Sequence, residues 1–192
     1  MKKIYSWLLL SVMAVSGLDV FAQKTEINGV WYNQFNGLNH CFVTYPEEGK
    51  YSGTVEIPDS VTFNGKKYLV FGIGDNSFYR CADLHSVVMP KSLKVIGYSA
   101  FAFCENMKIV NLPDSLETIQ DYAFRGCKSI SSLKIPSKVR NLDDGFLEDC
   151  PKLNWIMVDS KNEYFTSLQG ILYSKDKKNC IVSLLQKKGI MS

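Results

Sequence analysis

The chain has 192 residues, 46% of them hydrophobic, with six cysteines, six prolines and a formal charge of +3. That length suits one domain with a substantial core, and so small a charge gives no reason to expect a nucleic-acid partner, which usually needs a strongly basic face. Beyond the first 22 residues no stretch is long and apolar enough to span a bilayer as a helix.

Residues 1–22 read as an export signal. Lys2 and Lys3 make a basic start, Trp7 to Val15 is an apolar run broken only by Ser11, and Val20-Phe21-Ala22 offers a peptidase site. Removing Lys2, Lys3 and Asp19 with it takes the formal charge from +3 to +2. Residues 23–192 are then expected to form a single exported domain, located outside the cell, on its surface or in a periplasm.

An N-terminal β cap is predicted over 27–57. Val30-Trp31-Tyr32, Cys41 to Tyr45 and Thr54 to Ile57 have strand character, with turns at Asn36-Gly37 and Glu47-Glu48-Gly49. Nine residues more than one later period separate Val55 from Val87. The surplus centres on Phe63-Asn64-Gly65-Lys66, and Asn-Gly between apolar residues predicts a β-hairpin insertion near 61–70.

From 54 to 158 the chain repeats. Cys81, Cys104, Cys127 and Cys150 are 23 residues apart, as are Pro90, Pro113 and Pro136. Apolar columns keep step: Val87, Val110, Leu133, Ile156; Met89, Leu112, Ile135, Val158; Leu84, Met107, Ile130, Leu153; Phe78, Phe101, Phe124, Leu147. Such a period means stacked units, each too small to bury its own apolar face. Within a unit, Leu84-x-x-Val87-x-Met89 predicts a short strand, which Pro90 ends because it has no amide to donate. Leu93 and Ile96 turn a second apolar edge inward. Phe101 and Cys104, three apart, suit a short helical or 3₁₀ turn. The fold expected is an α/β repeat solenoid: a short parallel strand ladder, helical or 3₁₀ turns opposite, and β-hairpin caps at both ends. The C-terminal cap is assigned to 159–192, with its hairpin from Gly170 to Leu185.

The unit L-x-x-V-x-M-P-x-S-L-x-x-I-x-x-x-A-F-x-x-C-x-x-M, running from Leu84 to Met107 and again from Met107 to Ile130, resembles the leucine-rich repeats of BspA-like bacterial surface proteins. The resemblance spans about Tyr51 to Leu153 and extends to Gly170–Asp176. It implies a leucine-rich-repeat solenoid from an exported bacterial protein. It also implies adhesion as a role, since some relatives bind host extracellular proteins.

No cofactor, metal or catalytic site is expected. The four periodic cysteines occupy inward positions as small hydrophobes, a parallel column is poor geometry for disulfides, and no close thiolate spacing suggests zinc. Cys41 and Cys180 fall in opposite caps and are expected to be free. His40 and Cys41 are neighbours on one strand and point to opposite faces, so they make no nucleophile pair. Gly72-Ile73-Gly74 lacks the third glycine of a phosphate loop, and Asp143-Asp144 is too sparse for calcium.

What the strands show to solvent is more informative. Stacking should align Ser86, Ile109, Ser132 and Trp155 in one row, and Val88, Asn111, Lys134 and Met157 in the next. His85, Val88, Ile109, Lys134, Trp155 and Met157 are the candidate ligand-binding residues, on the face solenoids commonly use, with the aromatic and methionine content of an interface. The expected function is non-catalytic recognition of a protein or glycan, with host matrix among the partners, by a monomer without an integral membrane segment. The alternative is a structural or assembly component of the bacterial envelope; an enzyme with no recognisable site is more remote.

Overall fold

The computed structural model describes residues 24–34, 38–108, 110–143 and 145–182. The expected export signal, the Asn36-Gly37 turn and the last ten residues of the expected C-terminal cap lie outside them. β1 (Lys24–Ile27), β2 (Val30–Gln34) and β3 (His40–Thr44) form an antiparallel set. β4 (Gly53–Glu56), β5 (Ser60–Phe63), β6 (Lys66–Ile73) and β7 (Leu84–Val88) follow, then β8 (Val95–Ile96) and β9 (Thr118–Ile119). β10 (Ser132–Ile135), β11 (Asn141–Leu142) and β12 (Trp155–Val158) complete the repeats. β13 (Phe165–Leu168), β14 (Ile171–Ser174) and β15 (Cys180–Val182) form a second antiparallel set at the far end.

Each 23-residue unit is a three-sided coil. On the first side β4 pairs in parallel with β7, and β10 with β12. One coil on from β7, the Lys108 amide donates to His85 O at 3.2 Å. Alternation places Val55, Val87, Val110, Leu133 and Ile156 inward, all buried. On the second side β3, β6, β8, β9 and β11 make another parallel ladder, with Val43, Ile73, Ile96 and Ile119 buried beneath it. Its rungs are only two residues long from β8 onward, because Pro90, Pro113 and Pro136 open turns whose carbonyls accept from Leu93, Leu116 and Val139, leaving little chain to extend. Gly72 is needed on this side, since a Cβ there would sit 2.4 Å from the Phe42 ring.

The third side corrects the expected α/β class and its helical or 3₁₀ turns: no helix occurs among the described residues. A 3₁₀ helix would bond every amide three residues back, with φ negative throughout. Here only alternate amides do so, as in Tyr79 N to Asn76 O (3.0 Å) and Cys81 N to Phe78 O (3.1 Å). The amides between them reach across to the next coil: Phe78 N to Ala100 O and Arg80 N to Ala102 O, both 2.8 Å. The alternation arises from two left-handed residues per coil, repeating with the period. One column is Asn76, Ser99, Tyr122 and Gly145; the other is Arg80, Phe103, Gly126 and Asp149. Each flips one peptide group, so the side becomes a ladder of β-turns bonded from coil to coil.

Inside, Tyr51, Phe78, Phe101 and Phe124 stack in one column with centroid spacings of 4.6, 4.9 and 5.3 Å. Tyr51 starts it, its hydroxyl donating to Thr44 O (2.8 Å) and accepting from Trp31 N (2.9 Å). The cysteine column runs beside it. The Cys104, Cys127 and Cys150 thiols donate to the carbonyls of Phe78, Phe101 and Phe124 at 3.0, 3.2 and 3.1 Å. None of the six cysteines is in a disulfide, and Cys180 alone of them is exposed. Burial pushes the Cys41 thiol up to about 12 and raises those of Cys81, Cys104 and Cys127. Since the thiolate is the reactive form, a thiol reagent at pH 8 should titrate one cysteine in the folded chain and all six in denaturant. Rapid labelling of a second thiol in the native state would contradict this core.

Candidate functional site: the strand face

The first side of the solenoid presents two outward rows. Register puts Thr54 opposite Ser86, and Ser132 opposite Trp155; Glu56 faces Val88, and Lys134 faces Met157. Thr54 and Ser86 bond through their hydroxyls at 3.0 Å. Trp155, Met157 and Val88 are each about half exposed (48%, 47% and 53%), and His85 and Lys134 are exposed. Ile109 lies outside the described residues. His85 sits where the β4–β7 register shifts and so faces no partner residue on β4.

The candidate residues therefore do not form one cluster. His85 and Val88 belong to the second rung, while Trp155 and Met157 belong to the fifth, roughly 14 Å away at 4.8 Å per rung. Lys134 joins the latter pair, and its ammonium reaches Asp159 at 3.5 Å. The Asp159 carboxylate accepts the Lys161 amide and faces Lys134, which hold it below the usual carboxylate range.

The far end is shaped by the chain returning beside β12. Ile156 N donates to Gly170 O (3.1 Å) and Val158 N to Ser167 Oγ (3.0 Å). Gly170 lies against the indole, where a Cβ would be 3.1 Å from Trp155 Cε3. The return thus covers part of Trp155 and adds Leu168, 54% exposed, to the same neighbourhood. Sequence reasoning misses Leu168 because nothing in a 23-residue period shows that residues after 158 double back along β12.

The return is anchored by Asn162, which is fully buried. Its amide nitrogen donates to Pro136 O and Val139 O, both at 2.8 Å, and its oxygen accepts from Tyr164 N (2.9 Å) and Phe165 N (2.8 Å). All its hydrogen-bonding capacity is used.

At the near end an open cleft of about 780 Å³ lies between the β1–β2 turn and β4, and Val88 lines it. The turn is Asn28-Gly29, both left-handed, an Asn-Gly signal the sequence reading passes over. Tyr51 forms part of the cleft wall; burial chiefly, and Glu26 among its neighbours, push its phenol up to about 12. A smaller hollow on the second side is charged, its wall formed in part by Glu117, which pairs with Lys94 (2.9 Å) and Arg140 (2.7 Å).

His40 leans on the Phe71 ring (5.1 Å between centroids) while Cys41 turns inward towards Leu69 O, so the two do not converge. Among the described residues no three His, Cys, Asp or Glu side chains gather as metal ligands, and no helix is long and apolar enough to cross a membrane.

Comparison with known proteins places this geometry. The chain is similar to a leucine-rich repeat protein from Bacteroides capillosus, with 25% identity and a TM-score of 0.64 over 71% of this chain and 99% of that one. A leucine-rich repeat protein from Bacteroides ovatus shows 26% identity and a TM-score of 0.53 over 69% of this chain, which spans 40% of that longer one. A leucine-rich repeat protein from T. pallidum shares the fold at 23% identity, with a TM-score of 0.54 over 70% and 71% of the two chains. No curated protein matches it. The sequence pattern of the BspA type leucine-rich repeat region matches residues 72–170 in six copies, and the chain belongs to that family.

Proposed function

We propose that this chain is an exported, non-catalytic binding module that recognises a protein or glycan through the fifth-rung end of its strand face. The reading rests on one observation: Trp155, Met157 and Leu168 are each about half exposed at one end of a strand ladder, beside Lys134. Partly exposed tryptophan and methionine next to a cation suit an interface centre with a polar rim. The antiparallel sets at the two ends act as caps that keep the core faces of the terminal coils from solvent. Residues 1–22 serve export, and the working form is a monomer at the cell surface, in the periplasm or outside the cell.

The double variant Trp155→Ala, Met157→Ala tests this. Against immobilised matrix glycoproteins, glycans and envelope extract, the unsubstituted chain is expected to retain a saturable partner. The double variant should bind it at least tenfold more weakly while its unfolding midpoint stays within the change expected for partly exposed side chains. Equal binding by both proteins would assign recognition elsewhere. Co-purification with a single envelope protein, unaffected by the substitutions, would replace this reading by one of envelope assembly.

A further inference from the structure

The two ends of the strand ladder are finished differently. At the far end the outward amides of Ile156 and Val158 are taken up by Gly170 O and Ser167 Oγ. At the near end β4 pairs only with β7 among the described residues. Gly53 N donates to Asp83 O and Ile57 N to Val88 O, both towards β7. Because successive peptide groups in a strand point to opposite edges, the amides and carbonyls of Thr54 and Glu56 point the other way, into the cleft beneath the Asn28-Gly29 turn. An edge of unpaired donors and acceptors is a template for another strand. Here it runs beside a wall that includes Ile27, Val30, Val55 and Ile57, all of them buried or partly buried.

We propose that this edge binds an extended peptide, added as one more strand beside β4, with apolar side chains turned into the cleft and a lysine or arginine beside Glu56. The backbone pairing supplies affinity and the alternate side chains supply selectivity. The charge follows from what borders the cleft: Glu56 is exposed on β4, and Glu26 stands on β1 next to the lining Ile27. The one lysine there, Lys50, has its ammonium turned to Tyr79 O at 3.0 Å. The site lies at the opposite end of the ladder from Trp155 and Met157 and does not depend on them.

The probe is a phage-displayed library of random linear heptapeptides selected on the full chain, with the enriched sequence then synthesised and its affinity measured by fluorescence polarisation. Enriched peptides are expected to alternate apolar residues with lysine or arginine. N-methylation of alternate peptide amides should weaken binding at least tenfold, and the peptide should slow hydrogen exchange at the Thr54 and Glu56 amides; these readouts need no variant of the protein. Thr54→Pro removes one outward donor while keeping the backbone pairing to β7, since edge strands tolerate proline, and should also cost at least tenfold, whereas Thr54→Val, which loses only the hydroxyl bond to Ser86, should not. Glu56→Lys should abolish the preference for basic residues. Trp155→Ala with Met157→Ala should leave peptide affinity unchanged, which separates this site from the strand-face reading. No enrichment over the naive library, or a peptide indifferent to N-methylation and to Thr54→Pro, would overturn the proposal. So would a concentration-dependent dimer abolished by Thr54→Pro, which would give the edge to a second copy of the chain.

Discussion

Replacing Asn162 by leucine is expected to destabilise the chain by about 4 kcal/mol, since leaving a buried donor or acceptor unmet costs about 1–3 kcal/mol and relaxation recovers part of the total. Four backbone groups lose their partner at once: the carbonyls of Pro136 and Val139, and the amides of Tyr164 and Phe165. Asn162 itself lies at zero exposure, so water cannot replace its side chain without opening the coil. The loss should begin locally. Amide exchange in 159–182 should accelerate before that of the central coils, because Asn162 ties the return strands to the coil carrying Pro136. Asn162→Asp sharpens the test. Its ionised carboxylate would keep the two amides but lie fully buried against two carbonyls, and this desolvation and repulsion are expected to outweigh the two amides and the nearby Lys175 ammonium and raise its folded pKa. Stability should therefore be greatest below the ordinary aspartate range and fall as pH rises towards neutrality. Urea unfolding at pH 4 and pH 7 reads both variants; a change below 1 kcal/mol in Asn162→Leu would mean the anchor is dispensable.

Phe101→Ala is expected to cost about 3–5 kcal/mol, the range for deleting a buried aromatic ring. Phe101 is the middle of the stack, packed against Phe78 at 4.9 Å and Phe124 at 5.3 Å, with rings within 9° of parallel. Each coil of a solenoid is stabilised mainly by its neighbours, so a cavity here weakens the link between the two halves as well as one coil. Trp31 and Trp155 lie in opposite halves and report on each. In the unsubstituted chain one cooperative transition is expected; in Phe101→Ala the spectral transition should broaden or divide, with the half containing Trp155 melting first if the N-terminal sheet holds the other. Phe101→Leu, which keeps most of the volume, should cost far less. A Phe101→Ala protein unfolding in one sharp transition within 1 kcal/mol of the parent would show that the stack does not carry the coupling.

The periodic core was legible before any coordinates. Val87, Val110, Leu133 and Ile156, the cysteine column and the proline stops all occupy the places their spacing implies, because a side chain inside a stacked coil must meet its own equivalent one turn away. The turns were not legible. Left-handed φ is easy at Gly126 and Gly145, and at Asn76 and Asp149, but nothing in the one-dimensional pattern announces it at Phe103 or Tyr122. The rings of these two bulky residues lie over the glycine of the next coil, a contact that helps offset the strain. A Cβ at Gly126 would be 2.5 Å from Phe103 Cδ1, and one at Gly145 2.7 Å from Tyr122 Cε1. The reason for each unusual residue sits 23 positions away, visible only once the coils are stacked.

The candidate face divides along the same line. The rows themselves follow from the repeat and from strand alternation. That Trp155 stays half exposed, that Leu168 joins it, and that the two ends of the ladder are closed so differently all depend on how non-repeating segments fold back.

By itself, then, the amino-acid order determined the coil, its buried columns and the direction of its strands, since a period constrains every equivalent position at once. The β-turn side, the anchoring of the return strand by Asn162 and the unpaired edge of β4 were decided by tertiary structure. They arise from contacts between a repeat and something that does not repeat, or between coils whose backbones must first be brought together.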